Sequence, residues 1–341
     1  MSDLHNGAPR RTEKSESRGE LEGAEASQTR GAPLRGPRFD LQVAPGGYLW
    51  WYLDGVSDDK QNAITLIAFV GSVFSPYYAW AGRRDPENHC AVNVALYGTR
   101  RRWTMTERGR KSIVRQPDSF AVGPSTLCWE GDTLVIALNE IAAPFPRRVK
   151  GTIRVKPRHF PQTEFKLDRE GRHIWQPIAP VARISVELES PALSWAGSAY
   201  LDSNRGEEPL EEGFKEWTWS RAHDGEDCIV LYDCAHRDGS ESAMALRCCA
   251  NGTIEPFTPP PQSPLPATLW RIQRSSRSDE GVAARVESTL EDTPFYARSL
   301  LSSVINGRKL QTFHESLSLD RFQAPIVRAM LPFRMPRRGR R

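Results

Sequence analysis

Between Gly171 and Arg221 the sequence places chemistry-bearing side chains two positions apart three times: His173-Ile174-Trp175, Tyr200-Leu201-Asp202 and Trp217-Thr218-Trp219. On a β-strand, residues i and i+2 project from the same face. If these strands face a common cavity, an acid, an imidazole and several aromatic rings converge there. An apolar wall penalises the charged form of a carboxyl, so Asp202 is expected to keep its proton near neutral pH. The pattern therefore points to a bound apolar ligand and a general acid, without naming the ligand. Asn204, Trp217 and Trp219 are further candidates for contact with it. The same residues have plainer readings: alternating Trp and Tyr fill cores, a single histidine is commonly structural, and Asp202 with Asn204 and Gly206 could open a turn.

The elements that would position these residues are strands. Ten tryptophans and 26 prolines among 341 residues favour sheets and turns around a core or pocket. Val92, Val94 and Leu96 alternate with small or polar neighbours, as do Trp103 and Met105, Ile153 and Val155, and Ile184, Val186 and Leu188; Leu134 to Leu138 is a short apolar run. Asp54-Gly55, Asp224-Gly225, Asp238-Gly239 and Asn251-Gly252 read as hairpin turns. One helix is predicted from Leu300, Leu301, Val304 and Ile305, capped by Gly307. The fold class is all-β, with two barrels or sandwiches side by side and a short helix near the C-terminus. Residues 1–38, rich in Arg, Glu, Ser and Gly, form a disordered tail; the units cover 39–185 and 186–330, and 331–341 is a basic tail.

Other chemistries lack their signatures. There is no GxGxxG, no GxxxxGK and no GxSxG, and His314-Glu315 is not followed by the second histidine of HExxH. No histidine pair has metal-ligand spacing, so no metal is expected. A net charge of +4 is nearly balanced and gives no reason to expect nucleic acid. The longest apolar run, Ile64 to Phe74, falls short of a membrane span, and the N-terminal segment lacks the apolar core of an export signal. Six scattered cysteines read as reduced thiols. Arg334, Arg337, Arg338, Arg340 and Arg341 crowd the C-terminus, where they suit anionic lipid headgroups.

From Gly46 onward the sequence resembles the carotenoid 1,2-hydratases, or hydroxyneurosporene synthases. The blocks that carry the resemblance are Gly47 to Gly55, Phe74 to Tyr78, His173-x-Trp175, Tyr200-x-Asp202, Glu291 to Ser299, His314 to Leu317 and Leu331 to Arg337. The resemblance implies two lipocalin-like β-barrels, no cofactor, and addition of water to the terminal 1,2 double bond of acyclic carotenoids such as neurosporene and lycopene. It also implies a catalytic set of Asp202, His173, Trp175 and Tyr200. In that set Asp202 would donate the proton, Trp175 and Tyr200 would face the cation, and His173 would take a proton from water; alternatively, Tyr200 would hold Asp202 by a hydrogen bond. The expected setting is cytoplasmic, peripheral to the inner or intracytoplasmic membrane. A carotenoid or lipid carrier of the same fold and an acid-initiated prenyl-quinol cyclase are the competing readings. Oligomeric state is not legible.

Overall fold

The strand that opens the fold, β1 (Tyr48–Ser57), is apolar along almost its whole length because both of its faces are buried. Leu49, Trp51 and Leu53 point into one core, and Tyr48, Trp50 and Tyr52 into another. The computed structural model describes residues 36–339; the expected disordered tail up to residue 35, with Arg340 and Arg341, lies outside the described residues.

Along the chain follow β2 (Ala63–Val70), the short helix α1 (Pro76–Trp80), β3 (Cys90–Tyr97), β4 (Arg102–Arg108), β5 (Ile113–Arg115), β6 (Ser119–Val122), β7 (Ser125–Glu130), β8 (Thr133–Ile141), β9 (Arg148–Pro157), β10 (Phe165–Lys166), β11 (His173–Ser190) and β12 (Ala192–Gly206). After α2 (Leu210–Gly213) come β13 (Phe214–Asp224), β14 (Asp227–His236), β15 (Glu241–Cys248), β16 (Ile254–Pro256), β17 (Gln262–Leu265), β18 (Arg274–Arg277), β19 (Arg285–Asp292), β20 (Tyr296–Ile305) and β21 (Arg308–Ser318). Helices α3 (Leu319–Gln323) and α4 (Pro325–Arg334) and the short β22 (Arg337–Arg338) end the described chain.

These strands make two large sheets. The first runs β22-β4-β3-β2-β1-β12-β11-β9-β8-β7-β6-β5, with β10 on β11; the second runs β16-β15-β14-β13-β21-β20-β19, and β17 and β18 pair separately. The first sheet curls around its own apolar core of Leu, Ile, Val, Trp51 and Phe120. Across its open seam Arg108 of β4 donates to Glu140 of β8 at 2.7 Å, and Ser125 Oγ donates to the other oxygen of Glu140 at 2.6 Å. The second sheet is a curved half-barrel laid against the outer face of the first. Their interface holds the second core, which includes Tyr48, Trp50, Tyr52, Trp175, Tyr200, Trp217, Trp219 and Tyr232. The fold is thus all-β and lipocalin-like, in two side-by-side units.

Several local expectations change. Leu300 to Ile305 is strand, not helix: Leu301, Ser303 and Ile305 are buried on one face, and Asn306-Gly307 is the turn into β21, both residues at positive φ. The helix near the C-terminus is α4 instead. Asp54-Gly55 is not a turn but lies inside β1, where Asp54 is ion-paired; a side chain at Gly55 would come within 2.9 Å of Ile184. Asp224-Gly225, Asp238-Gly239 and Asn251-Gly252 do close hairpins. Residue 185 falls within β11, and β12 still belongs to the first sheet, so the sheets divide between Gly206 and Phe214. Residues 331–338 are folded rather than a free basic tail. Leu331 and Met335 are buried, Arg334 lies 4.4 Å over the Trp103 ring, and Arg337 is ion-paired with Glu107. All six cysteines are unpaired.

The two sheets are tied by a buried ion pair, Asp54 of β1 with Arg221 of β13, to which Tyr52 adds a hydroxyl donor at 3.0 Å. Removing one partner of such a pair leaves an uncompensated buried charge. Arg221→Met is expected to destabilise the fold by about 3–5 kcal/mol, and adding Asp54→Leu to recover most of it. Urea unfolding of the two single variants and the double variant checks this as a mutant cycle.

Candidate active site

A small cavity of about 30 Å³, open to solvent, lies between the two sheets, outside the first sheet's own core. Its walls are Trp50 and Tyr52 of β1, Asp202 and Asn204 of β12, Trp217 and Trp219 of β13, Tyr232 of β14 and Glu315 of β21. Strand register explains the set. Trp50 pairs with Asn204 and Tyr52 with Asp202 across the first sheet. In the second sheet Tyr232, Trp219, Glu315 and Arg298 sit in one row across β14, β13, β21 and β20. Period-two geometry turns both rows toward the interface.

Asp202 is 4% exposed. Its Oδ2 accepts from Trp175 Nε1–H at 2.8 Å and from the Tyr200 hydroxyl at 2.9 Å. Its Oδ1 is buried with no protein partner. Burial pushes the Asp202 carboxyl up to about 8; the donors Trp175 and Tyr200 oppose that rise, and the charges of Glu315 and Asp54 add to it. The acid is therefore protonated at neutral pH. With Oδ2 already accepting twice, the proton belongs on Oδ1, the free oxygen. Glu315 also faces the cavity. Arg298 Nε donates to Glu315 Oε1 at 3.0 Å, and that guanidinium is fully buried among Tyr52, Tyr97 and Tyr296. The cavity thus joins a protonated carboxyl, an ion-paired carboxylate and five aromatic rings. It can deliver a proton, shelter a cation on π faces and accept a proton.

Of the residues singled out by sequence, Asp202, Asn204, Trp217 and Trp219 line the cavity. Trp175 and Tyr200 stand behind Asp202 as hydrogen-bond donors, so their rings are not cavity walls; Trp175 packs on Phe165 and Tyr232, and Tyr200 on Tyr52 and Trp219. His173 does not reach the cavity. Burial lowers its pKa, leaving it neutral; its Nδ1 accepts from the Tyr48 hydroxyl at 2.9 Å, and its Nε2 faces Glu208 at 3.3 Å. Tyr48 stacks on Trp50 at 4.9 Å, so His173 supports a cavity wall from behind. Sequence reasoning missed Trp50, Tyr52, Tyr232 and Glu315. Trp50 and Tyr52 carried the same i, i+2 signal within Tyr48 to Asp54; Glu315 sat in a resemblance block and in a pattern weighed for metal, without a role of its own.

Fold and cavity together define a lipocalin-like protein with acid–base groups in an aromatic pocket. Comparison with known proteins agrees. The family described as "Carotenoid hydratase CrtC" matches residues 66–341. The acyclic carotenoid 1,2-hydratase of Thiocapsa roseopersicina is 57% identical over 90% of this chain and 77% of its own, and that of Rubrivivax gelatinosus 53% identical over 89% and 76%. The chain belongs to the carotenoid hydratase family and is a hydro-lyase. More distant crystal structures share the fold alone. An AttH of Nitrosomonas europaea superposes with TM-score 0.57 at 16% identity, over 85% of this chain and 98% of its own. Kievitone hydratase of Nectria haematococca gives 0.50 at 11%, over 84% and 98%.

An unfolded aspartate releases its proton near about 3.9, whereas folded Asp202 keeps it up to about 8. Its contribution to stability is thus fully present below the unfolded value and is lost as pH rises through the folded value. Asp202→Asn should remove that slope. Infrared spectroscopy should show a buried carboxylic C=O band titrating near 8 in the wild type and missing in the variant. In Trp175→Phe or Tyr200→Phe the midpoint should move upward, because each loses a donor to the carboxylate; an unmoved midpoint would refute the assignment.

Proposed function

We propose that this enzyme adds water across the terminal 1,2 double bond of an acyclic carotenoid, with Asp202 as proton donor and Glu315 as proton acceptor. The observation that carries the reading is the free oxygen of a protonated Asp202 sharing an aromatic cavity with an ion-paired Glu315. The substrate class follows the names of the relatives reported above.

A trisubstituted alkene is a weak base, so a positioned acid must begin the reaction. The Asp202 proton passes to C2 as the π electrons form the C2–H bond, leaving the charge on tertiary C1. The π faces of Trp50, Trp217 and Trp219 and the carboxylate of Glu315 stabilise that charge, a cation–π contact being worth about 2 kcal/mol when desolvated. A water oxygen attacks C1 and Glu315 takes the proton it releases; Glu315 then gives that proton to solvent as solvent returns one to Asp202. The sum is alkene plus water to tertiary alcohol. His173, expected to hold the water, instead acts as a positioning residue through Tyr48 and Trp50.

At about 30 Å³ the cavity is far below the roughly 300–1,000 Å³ typical of small-ligand sites, so its aromatic walls must part to admit a ligand. So opened, it suits the polyene's end, while the remaining chain extends outward. Such a substrate resides in lipid, so the enzyme works in the cytoplasm at a membrane surface.

Incubation with neurosporene or lycopene in detergent and ¹⁸O-water, without added cofactor, should yield product one water heavier that carries the heavy oxygen. Asp202→Asn and Glu315→Gln should each lower kcat by about 10²–10⁴ while still binding polyene. The alkaline limb of kcat should fall near 8 in the wild type. His173→Ala should lower kcat without moving that limb. Turnover preserved in Asp202→Asn would end the reading.

A further inference from the structure

Helix α4 is apolar on two sides. Val327 and Leu331 face inward and are buried, while Ile326, Ala329, Met330 and Phe333 form an outward stripe at helical spacing. Ile326 and Phe333 are more than 70% exposed. Single exposed apolar residues are ordinary, but a continuous stripe marks an interaction surface.

The stripe has neighbours of its own kind. α1 packs beside α4 and exposes Trp80. The loop with exposed Leu269 and Trp270 is tied to α3, because Arg321 donates to the carbonyls of Trp270 at 2.7 Å and Pro294 at 2.5 Å. Basic residues border the apolar ones: Arg334, over the Trp103 ring, ends α4, and exposed Arg338, whose charge reaches Glu140, follows; neither forms an ion pair within 4 Å among the described residues. An apolar stripe with tryptophans and bordering arginines has the composition of an element lying in a lipid headgroup layer.

Beneath this surface an aromatic run leads inward. Phe322 of α3 meets Phe74 at 5.8 Å, Phe74 meets Phe69 at 6.1 Å, and Phe69 meets Trp50 of the cavity wall at 6.0 Å. One line of packed aromatic rings thus runs from α3, which packs beside α4, to the cavity wall.

We propose that the outer face of α4, with Trp80 and the Leu269–Trp270 loop, is the surface by which this protein docks on an anionic lipid bilayer. Docking there sets the aromatic run between membrane and cavity, along the path a lipid-dissolved polyene must take to Asp202. This purpose rests on the proposed hydration; the surface itself does not.

The test is flotation of the full chain with phosphatidylcholine vesicles, with and without phosphatidylglycerol. The triple variant Ile326→Ser, Met330→Ser, Phe333→Ser changes only exposed side chains and should keep its thermal midpoint. It should lose vesicle binding by about tenfold or more. Arg334→Gln with Arg338→Gln should weaken binding only to the anionic vesicles and reduce its salt dependence. With carotenoid in detergent the triple variant should turn over normally, and with carotenoid in vesicles poorly. Unchanged flotation of the triple variant would overturn the proposal. So would a wild-type dimer by light scattering that the triple variant dissociates, since a second copy would then cover the face. Flotation is read without turnover, so failure of the hydration reading and failure of the docking surface are separable.

Discussion

The interface between the two sheets contains too few cations for its carboxyl groups, and the chemistry of the site depends on that shortage. Arg221 is taken by Asp54, and Arg298 by Glu315 and Glu291. Asp202 lies among the same residues and receives no guanidinium, only the neutral donors of Trp175 and Tyr200. Ionising it would put another negative charge into a buried space that already holds Asp54 and Glu315, so it stays neutral. The two ion pairs thus do more than join the sheets. By occupying both arginines they leave Asp202 as the carboxyl without a cation, which is what the proposed division into acid and base rests on.

That division of labour requires both sheets. Asp202 and its donors come from β11 and β12 of the first, and Glu315 with Arg298 from β20 and β21 of the second. The first sheet's own core contributes nothing to the cavity. A lipocalin-like barrel invites the expectation of a ligand in its lumen, but here the lumen of the first unit is packed with Leu, Ile, Val, Trp51 and Phe120. The outward faces of strands such as β1 and β12 became the site because a second sheet covers them. Asp202 and Glu315 therefore meet only when the two sheets are packed together.

Much of this was legible in the sequence, and the failures share one physical origin. Alternation identified most of the strands and put Tyr200 and Asp202 on one face, because period two is fixed by backbone geometry. It could not say which strands become neighbours. His173 shares a strand with Trp175 but pairs with Gly206, at the far end of the row from the Asp202 register, and so misses the cavity. Glu315 is distant in sequence and arrives through pairing of β21 with β13 and β20. Local ambiguity explains the remainder. Leu300, Leu301, Val304 and Ile305 suit a helix by spacing, yet a strand with one buried and one half-buried face gives the same run, and Asn306-Gly307 is the hairpin turn that ends it. Asp54-Gly55 has turn composition, but its carboxylate was needed opposite Arg221 and its glycine opposite Ile184.

The donors to Asp202 deserve a place in the catalytic argument because they act against burial. Burial alone would hold the proton more firmly, giving an acid too weak for an alkene. An arginine at the same oxygen would strip the proton off and leave no acid. Two neutral donors to Oδ2 stabilise the conjugate base as the proton leaves Oδ1, which strengthens the acid without ionising it at neutral pH. The balance falls at about 8, close to the ambient pH at which a general acid is both loaded and able to give its proton up. In the proposed reaction Trp175 and Tyr200 thus set the strength of the acid, while the aromatic rings of the cavity wall would receive the charge that protonation creates.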